Sequence, residues 1–206
     1  VRARFGAITG LEDADADQPI APNMPAGSIT DDTEQAILVG ELLVEGQGTI
    51  EPSVLARRLI DWEAGMRAKG SQDLLGPSTK RAIDMILAGH TPEESGRYGT
   101  TNGAAMRASP LGCLLPGDNL DAFISDVAAA SSPTHKSDLA IAGATVIAWA
   151  ISRAVDGAGW PAIVDALPAV ARHAQEQKTT TFSASLALRI ELALRTVRQA
   201  DGLESA

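Results

Sequence analysis

The sequence predicts an all-α protein, and three observations lead to that class. Apolar residues recur at intervals of three and four from Thr33 onward, whereas no stretch alternates apolar and polar residues as a half-buried strand does. The 206-residue chain is 45% hydrophobic and 21% charged, which is typical of a globular protein with a buried core. Glycines follow several of the periodic runs, where helices commonly end. We therefore expect one helical domain over residues 1–206.

Eight helices follow from the periodic runs and the residues at their ends. The run from Leu139 to Ser152 is the most apolar, is too short to span a bilayer and is predicted to be a buried core helix. Another helix start is predicted at "HTPEES", where Thr91 can be the N-cap, Pro92 the first helical residue and Glu94 the carboxylate of a capping box. The eight helices are predicted near Asp31–Val44, Glu51–Lys69, Ser78–Ala88, Ala105–Leu114, Leu120–Ala129, Ser137–Val155, Trp160–Gln177 and Thr181–Gln199.

Charge and cysteine content exclude several classes of function. The formal net charge is -9 and the isoelectric point is near 4.8, so nucleic acids and membrane surfaces are not expected as partners. Cys113 is the single cysteine, which excludes a disulfide framework and favours a reducing, cytoplasmic compartment. We expect Cys113 to be a small core residue and any metal to be bound by oxygen ligands.

The clearest candidate for a metal site is "TDDT", Thr30 to Thr33, at the start of the first predicted helix. Free N–H groups and the helix dipole keep carboxylates ionised there, so Asp31 and Asp32 are suited to bind a divalent cation. At the first turn both side chains can lean toward one ion, with the Thr30 hydroxyl beside them. The residues alone leave a second interpretation open, in which Thr30 is an N-cap and the carboxylates only favour the dipole.

A second acidic stretch, "DADAD" from Asp13 to Asp17, does not fit a calcium loop. Its sixth position is Gln18, where the sharp turn needs glycine, and its twelfth is Met24, where a bidentate glutamate is needed. We therefore expect a solvated acidic loop.

The stretch "TTNGAAMRASPLG", Thr100 to Gly112, combines a glycine-bearing loop with a helix start. Backbone N–H groups at such a point suit phosphate or ribose oxygens, while Asn102 can bind a hydroxyl and Arg107 an anion. The alternative is an Asn-Gly turn that merely enters a helix. His135 precedes the most apolar helix, so it either faces a cleft or is a capping or solvent-facing residue.

Together, and in this order, the motifs resemble those of the ADP-ribosylglycohydrolase family. That family has Thr-Asp-Asp-Thr at a helix start, here within "ITDDT", and a "GPST" segment before a helix, here Gly76 to Thr79. An Asn-Gly-Ala-Met-Arg loop follows, similar to Asn102–Arg107, and then Thr-His before an Ala/Gly-rich helix, similar to Thr134–His135. The matches span residues from about 5 to 155 and favour the metal interpretation of the first motif.

The resemblance implies an orthogonal helix bundle with two divalent ions, Mg²⁺ or Mn²⁺, at the mouth of a cleft. It implies hydrolysis of the glycosidic bond between ADP-ribose and an acceptor, such as an arginine side chain of an ADP-ribosylated protein, with the metals orienting ribose hydroxyls and a water. Matched residues are Thr30, Asp31 and Asp32 for metal, Asn102, Gly103, Ala104, Met106, Arg107 and His135 for substrate, and Asp73 and Glu94 as carboxylates that assist catalysis.

The sequence departs from the family pattern in two respects. It lacks the Asp-x-Asp-Thr motif that completes the family's metal site, and the family's catalytic glutamate is expected upstream of Val1. We therefore expect an internal part of a longer enzyme, which alone binds metal weakly and releases no ADP-ribose. Two other functions stay open, namely a module that binds ADP-ribose or a nucleotide sugar without cleaving it, and a hydrolase of a smaller ribosyl compound.

Overall fold

The computed structural model describes residues 6–7, 9–19, 22–68, 75–177 and 183–199. Within these ranges the chain forms ten α-helices, one short 3-10 helix and no β-strand, so the all-α prediction is confirmed. The α-helices are α1 (Asp31–Glu45), α2 (Pro52–Ala68), α3 (Pro77–Leu87), α4 (Pro92–Ser95), α5 (Gly103–Met106), α6 (Ser109–Leu114), α7 (Leu120–Ser131), α8 (Asp138–Val155), α9 (Trp160–Gln177) and α10 (Leu186–Gln199), and the 3-10 helix is Gly96–Tyr98.

The apolar helix α8 lies at the centre of the fold and packs against α5, α6, α7, α9 and α10. The main cluster of buried apolar side chains joins it to α1, α2, α6 and α7 through residues such as Leu43, Leu55, Leu111, Phe123 and Ala148. By length and composition alone, α8 is the one helix of the described chain that could cross a membrane, yet half of it is buried inside the protein. Its role as a core helix agrees with the sequence prediction.

The predicted helix Ala105–Leu114 is wrong in one respect, because the structure divides it into α5 and α6 at Arg107 and Ala108. Pro110 explains the break. It has no N–H to donate to the carbonyl of Met106, and its ring would clash with that carbonyl in a continuous helix. Pro110 stands instead in the first turn of α6, where proline is tolerated.

The last helix begins at Leu186 rather than at Thr181, which lies outside the described residues. Ser183 is not helical, and both its backbone N–H and its hydroxyl donate to the carboxylate of Asp138 at the start of α8. Ser183 is therefore bonded to the start of α8 and does not form a first turn of α10.

The predicted capping box is present at α4. The Thr91 hydroxyl accepts from the Glu94 N–H at 3.3 Å, and Glu94 Oε2 accepts from the Thr91 N–H at 2.9 Å. The expectation for Cys113 is wrong, because its side of α6 is exposed while Leu111 and Gly112 face the core.

Candidate functional site

A cavity of about 550 Å³ lies where the starts of α1 and α3 meet the loop before α5. Its volume is in the range of pockets that bind small organic ligands. Two helix N-termini open to it, so their free N–H groups and dipoles favour negatively charged groups there. The lining residues are Thr30, Asp31 and Asp32 of the α1 start, Gly76, Pro77 and Thr79 of the α3 start, Thr101, Asn102, Gly103 and Met106, and Ala14, Gln18 and Met24 of the N-terminal loop.

At the start of α1, a hydroxyl and two carboxylates gather at the cavity wall. Thr30 takes the N-cap position, but its side chain makes no capping bond. Its hydroxyl instead donates to Asp32 Oδ2 at 3.1 Å. Asp31 is 8% exposed, and burial, followed by the charge of Asp32, raises the pKa of the Asp31 carboxyl. The interpretation of Thr30 as a simple capping residue is therefore not supported.

This donor set fits a divalent cation in its chemistry but not in its number. Mg²⁺ and Mn²⁺ prefer hard oxygen ligands, and a cation would offset the repulsion between Asp31 and Asp32. About six ligands are needed, whereas no group of three or more acidic, histidine or cysteine side chains in the described residues is arranged to hold a metal ion. Thr30, Asp31 and Asp32 can therefore form part of a metal site that water, substrate or other residues complete.

The loop Thr101–Gly103 forms another wall of the same cavity. Asn102 precedes α5, and its side-chain amide makes no capping bond to that helix. The structure thus brings Asn102 and Gly103 to the cavity that Asp31 and Asp32 also line. An amide free of a capping role is suited to bond an oxygen of a ligand.

His135 is a correction to the sequence prediction, because it neither reaches the cavity nor faces solvent. It is 0% exposed and lies beneath the loop, with Nε2 2.8 Å from Thr101 Oγ1 and Nδ1 2.8 Å from Thr134 Oγ1. A Cβ added to Gly103 would lie 2.5 Å from His135 Cε1. Burial, followed by the charge of Arg107, lowers the pKa of His135 to about 3, so the ring is neutral at neutral pH. His135 supports the loop from below.

Arg107 is likewise buried and does not line the cavity. Its Nη1 donates to Gln35 Oε1 at 3.1 Å, and its Nη2 donates to Thr134 Oγ1 at 2.6 Å and to the Ala130 carbonyl at 3.3 Å. Burial lowers the pKa of Arg107 to about 10, which leaves the guanidinium charged at neutral pH. The expectation that Arg107 pairs directly with a ligand anion is therefore not met.

The remaining predicted site residues do not all lie at the cavity. Met106 lines the cavity, whereas Ala104 is buried without lining it. The carboxylate of Glu94 is exposed, belongs to the capping box and does not line the cavity, so this geometry does not support Glu94 as a catalytic group. Asp73 lies outside the described residues.

Two further parts of the wall were not predicted to be site residues. Ala14, Gln18 and Met24 come from a loop that the Ala14 N–H to Met24 carbonyl bond closes at 2.8 Å. The sequence predicts only a solvated acidic loop at Asp13–Asp17, which does not indicate that neighbouring residues line a cavity. Thr79 and its neighbours belong to the "GPST" match, for which the resemblance indicates no role.

The fold and the site define an all-helical domain in which an acidic helix start and a glycine-bearing loop share one cavity. The sequence model of the ADP-ribosylglycohydrolase family matches residues 2–205, and the chain belongs to that family.

The chain is similar to two uncharacterized proteins and to one solved structure. The chain is 52% identical over 206 residues to the uncharacterized protein YegU of Escherichia coli strain K12, covering 100% of this chain and 61% of YegU. It is 32% identical over 131 residues to an uncharacterized protein of Archaeoglobus fulgidus, covering 63% of this chain and 41% of that protein. A solved structure described as an ADP-ribosylglycohydrolase-related protein complex matches with a TM-score of 0.58 and 26% identity, covering 89% of this chain and 64% of that one.

The chain therefore spans about three fifths of the length of its E. coli relative, and less of the archaeal one.

Proposed function

We propose that the protein of this chain is a metal-dependent hydrolase that releases ADP-ribose from an acceptor, with ADP-ribosylated arginine as the substrate. The observation that carries the proposal is that the acidic start of α1 and the loop Thr101–Gly103 line one cavity of about 550 Å³. Family membership supports the hydrolase class. A cavity with hard oxygen donors on one wall and an unused amide on another suits a ligand with ribose hydroxyls and phosphates.

In the proposed reaction a water oxygen bonds to C1 of the ribose while the bond from C1 to the acceptor nitrogen breaks. The nitrogen leaves with a proton, and the water loses one. Mg²⁺ or Mn²⁺ bound by Thr30, Asp31 and Asp32 would orient ribose hydroxyls and acidify the attacking water. Asn102 would bond a substrate oxygen, and the backbone of Gly103, which also lines the cavity, would lie beside the diphosphate. Apart from Asp31 and Asp32, the cavity wall contains no titratable side chain among the described residues, so they assign no general base.

The lack of a general base among the described residues of the cavity wall favours a second candidate, a module that binds ADP-ribose without cleaving it. The described chain offers two carboxylates at the cavity, whereas a hydrolase of this kind needs a complete metal site and a base. The two candidates share the ligand and differ in turnover, so one set of measurements separates them.

Calorimetric titrations with MnCl₂ and with ADP-ribose test the shared part of the proposal. Asp31→Asn should weaken Mn²⁺ binding about 10-fold or more, and Asn102→Ala should weaken ADP-ribose binding by a similar factor, as expected when a polar or charged group loses a partner. Asp121→Asn is the matched control, because it makes the same change in the first turn of α7, away from the cavity.

Turnover is then measured as release of ADP-ribose from ADP-ribosylated arginine by the full-length protein with Mn²⁺. Release that Asp31→Asn abolishes supports the hydrolase. Tight ADP-ribose binding without release supports the binding module. Equal Mn²⁺ and ADP-ribose affinities in the wild type and both cavity variants would show that this cavity is not the site.

A further inference from the structure

A buried chain of hydrogen bonds runs beneath the cavity from α1 to the loop Thr101–Gly103. It begins at Gln35, whose Oε1 accepts from Arg107 Nη1 at 3.1 Å. Arg107 Nη2 donates to Thr134 Oγ1 at 2.6 Å, and Thr134 Oγ1 lies 2.8 Å from His135 Nδ1. His135 Nε2 then lies 2.8 Å from Thr101 Oγ1. We call these five residues the buried network.

Both ends of the buried network stand next to residues that line the cavity. Gln35 is four residues after Asp31, one turn along α1, so fixing its side chain fixes the helix start that carries the carboxylates. Thr101 directly precedes Asn102 and itself lines the cavity. The network therefore connects the acidic wall of the cavity to the loop wall through the interior.

Four of the five members are buried almost completely. Gln35 and His135 are 0% exposed, and Arg107 and Thr134 are 1% exposed. A neutral imidazole has one donor and one acceptor nitrogen, so one of the two threonine hydroxyls must donate to the ring and the other must accept from it. The directions of the two bonds to the ring are therefore coupled, and together the two bonds join Thr101 of the loop to Thr134.

Stability alone does not account for this network. Gln35 Nε2 and Arg107 Nε are buried and have no hydrogen-bond partner among the residues that the structure describes. Unpaired buried donors cost free energy, and well-packed apolar residues are often as stable or more stable in such positions. A partly unsatisfied polar network that is nevertheless built into the core indicates that the geometry it imposes matters.

The residues just before this loop, Gly96–Gly99, which we call its stem, are anchored by bonds that do not involve the buried network. Ser137 Oγ donates to the Gly99 carbonyl at 2.8 Å, and the Lys136 N–H donates to the Gly96 carbonyl at 2.8 Å. These bonds hold the chain up to Gly99, whereas the bond to His135 holds the following Thr101. Removing the network should therefore release Thr101–Gly103 and leave the stem in place.

We propose that Arg107, Thr134 and His135 are positioning residues that hold the loop Thr101–Gly103 at a fixed distance from the start of α1. The two walls of the cavity then keep the spacing that a ligand bound to both requires. The consequence for ligand affinity rests on the function proposed above, whereas the consequence for the loop does not. All three side chains are buried and none of them lines the cavity.

The test uses Thr134→Val, which keeps the shape of the side chain and removes the hydroxyl between Arg107 and His135. Thr134→Ser keeps the hydroxyl and should rescue. Thr145→Val is the matched control, because Thr145 is equally buried but its hydroxyl donates only to the Ile141 carbonyl of its own helix, at 2.9 Å. Backbone ¹⁵N relaxation of the ligand-free chain gives order parameters for residues 101–103.

Wild type, Thr134→Ser and Thr145→Val should show rigid order parameters of about 0.85 at residues 101–103, and Thr134→Val should fall below about 0.6 there. Unchanged order parameters in Thr134→Val would overturn the proposal, even if its melting temperature fell. This result does not depend on whether the chain binds ADP-ribose.

Calorimetry then adds a readout that a general loss of stability does not produce. Thr134→Val should weaken ADP-ribose binding about 10-fold while Mn²⁺ binding changes less than about twofold, since the carboxylates are untouched. If wild type binds neither probe, the proposed function fails and the order parameters still decide the positioning role. If both affinities fall equally in Thr134→Val and Thr145→Val, the network is only structural and the proposal is wrong.

Discussion

Replacing Gly103 by alanine is a sharp test of the contact between the loop and His135. Gly103 opens α5, and a Cβ there would lie 2.5 Å from His135 Cε1 and 2.9 Å from Nε2. Carbon atoms in favourable contact lie about 3.5–4.0 Å apart, so the overlap is about 1 Å. The ring cannot turn away without breaking its bonds to Thr101 and Thr134. Either the ring or the loop must therefore shift.

The expected cost follows from two opposing effects. Overpacking a tight interior typically costs about 1–3 kcal/mol. Alanine in place of glycine in a helix returns about 0.5–1 kcal/mol, because the unfolded chain loses freedom. The net change in the free energy of unfolding should be a loss of about 1–2 kcal/mol, which corresponds to a melting temperature lower by about 2–8 °C in a protein of this size.

Gly143→Ala is the matched control, because Gly143 lies within α8 and a Cβ there would meet nothing within 4 Å. This variant should be more stable than wild type by about 0.5–1 kcal/mol. Urea denaturation followed by circular dichroism gives both free energies, with equal slopes confirming that the same two states are compared. If Gly103→Ala is as stable as Gly143→Ala, the close packing of the loop on His135 is not real.

Three further predictions follow from single side chains. Burial beside Asp32 raises the pKa of Asp31, so ionising this carboxyl lowers the free energy of unfolding as the pH rises from about 3.8 through the raised pKa of the folded state. At pH 7 in the presence of a chelator, Asp31→Asn should therefore melt no lower than wild type by calorimetry. The pKa of His135 is lowered to about 3, so below about pH 6.5 the ring takes up a proton in the unfolded chain but not in the folded one. The free energy of unfolding should therefore fall by about 1.4 kcal/mol per pH unit between about pH 6.5 and about pH 3. His135→Gln should lack this pH dependence in urea titrations. Thr91→Ala should lose about 1 kcal/mol by the same method, with unchanged ADP-ribose affinity.

The helices were predictable because their signals are local. The recurrence of apolar residues at intervals of three and four along α8 and α9, and the capping box at Thr91, depend on residues within a few positions of one another. The break before Pro110 is also a local effect, because this proline lies five residues after the start of the predicted helix Ala105–Leu114 and cannot continue it. The start of α10 does not depend on neighbouring residues alone, since Ser183 is not helical and is bonded to a carboxylate 45 residues away.

The candidate site divides in the same way. The acidic start of α1 could be predicted because hard oxygen donors and a helix start coincide in three consecutive residues. Asn102 could be recognised because glycine follows it in a loop. The placement of Arg107 and His135 could not, because a polar residue beside an apolar run has the same pattern whether it lines a cavity or lies beneath one.

The burial of Arg107 shows why this distinction matters for the chemistry of the cavity. A guanidinium with neutral acceptors at Gln35, Thr134 and Ala130 is costly to bury, and its lowered pKa reflects that cost. An arginine on the cavity wall would bind an anion directly and would move with it. Beneath the wall, its forked donors instead bond to Gln35 and Thr134, which are distant in sequence, and this arrangement supports the proposed role of Arg107 in spacing the two walls of the cavity.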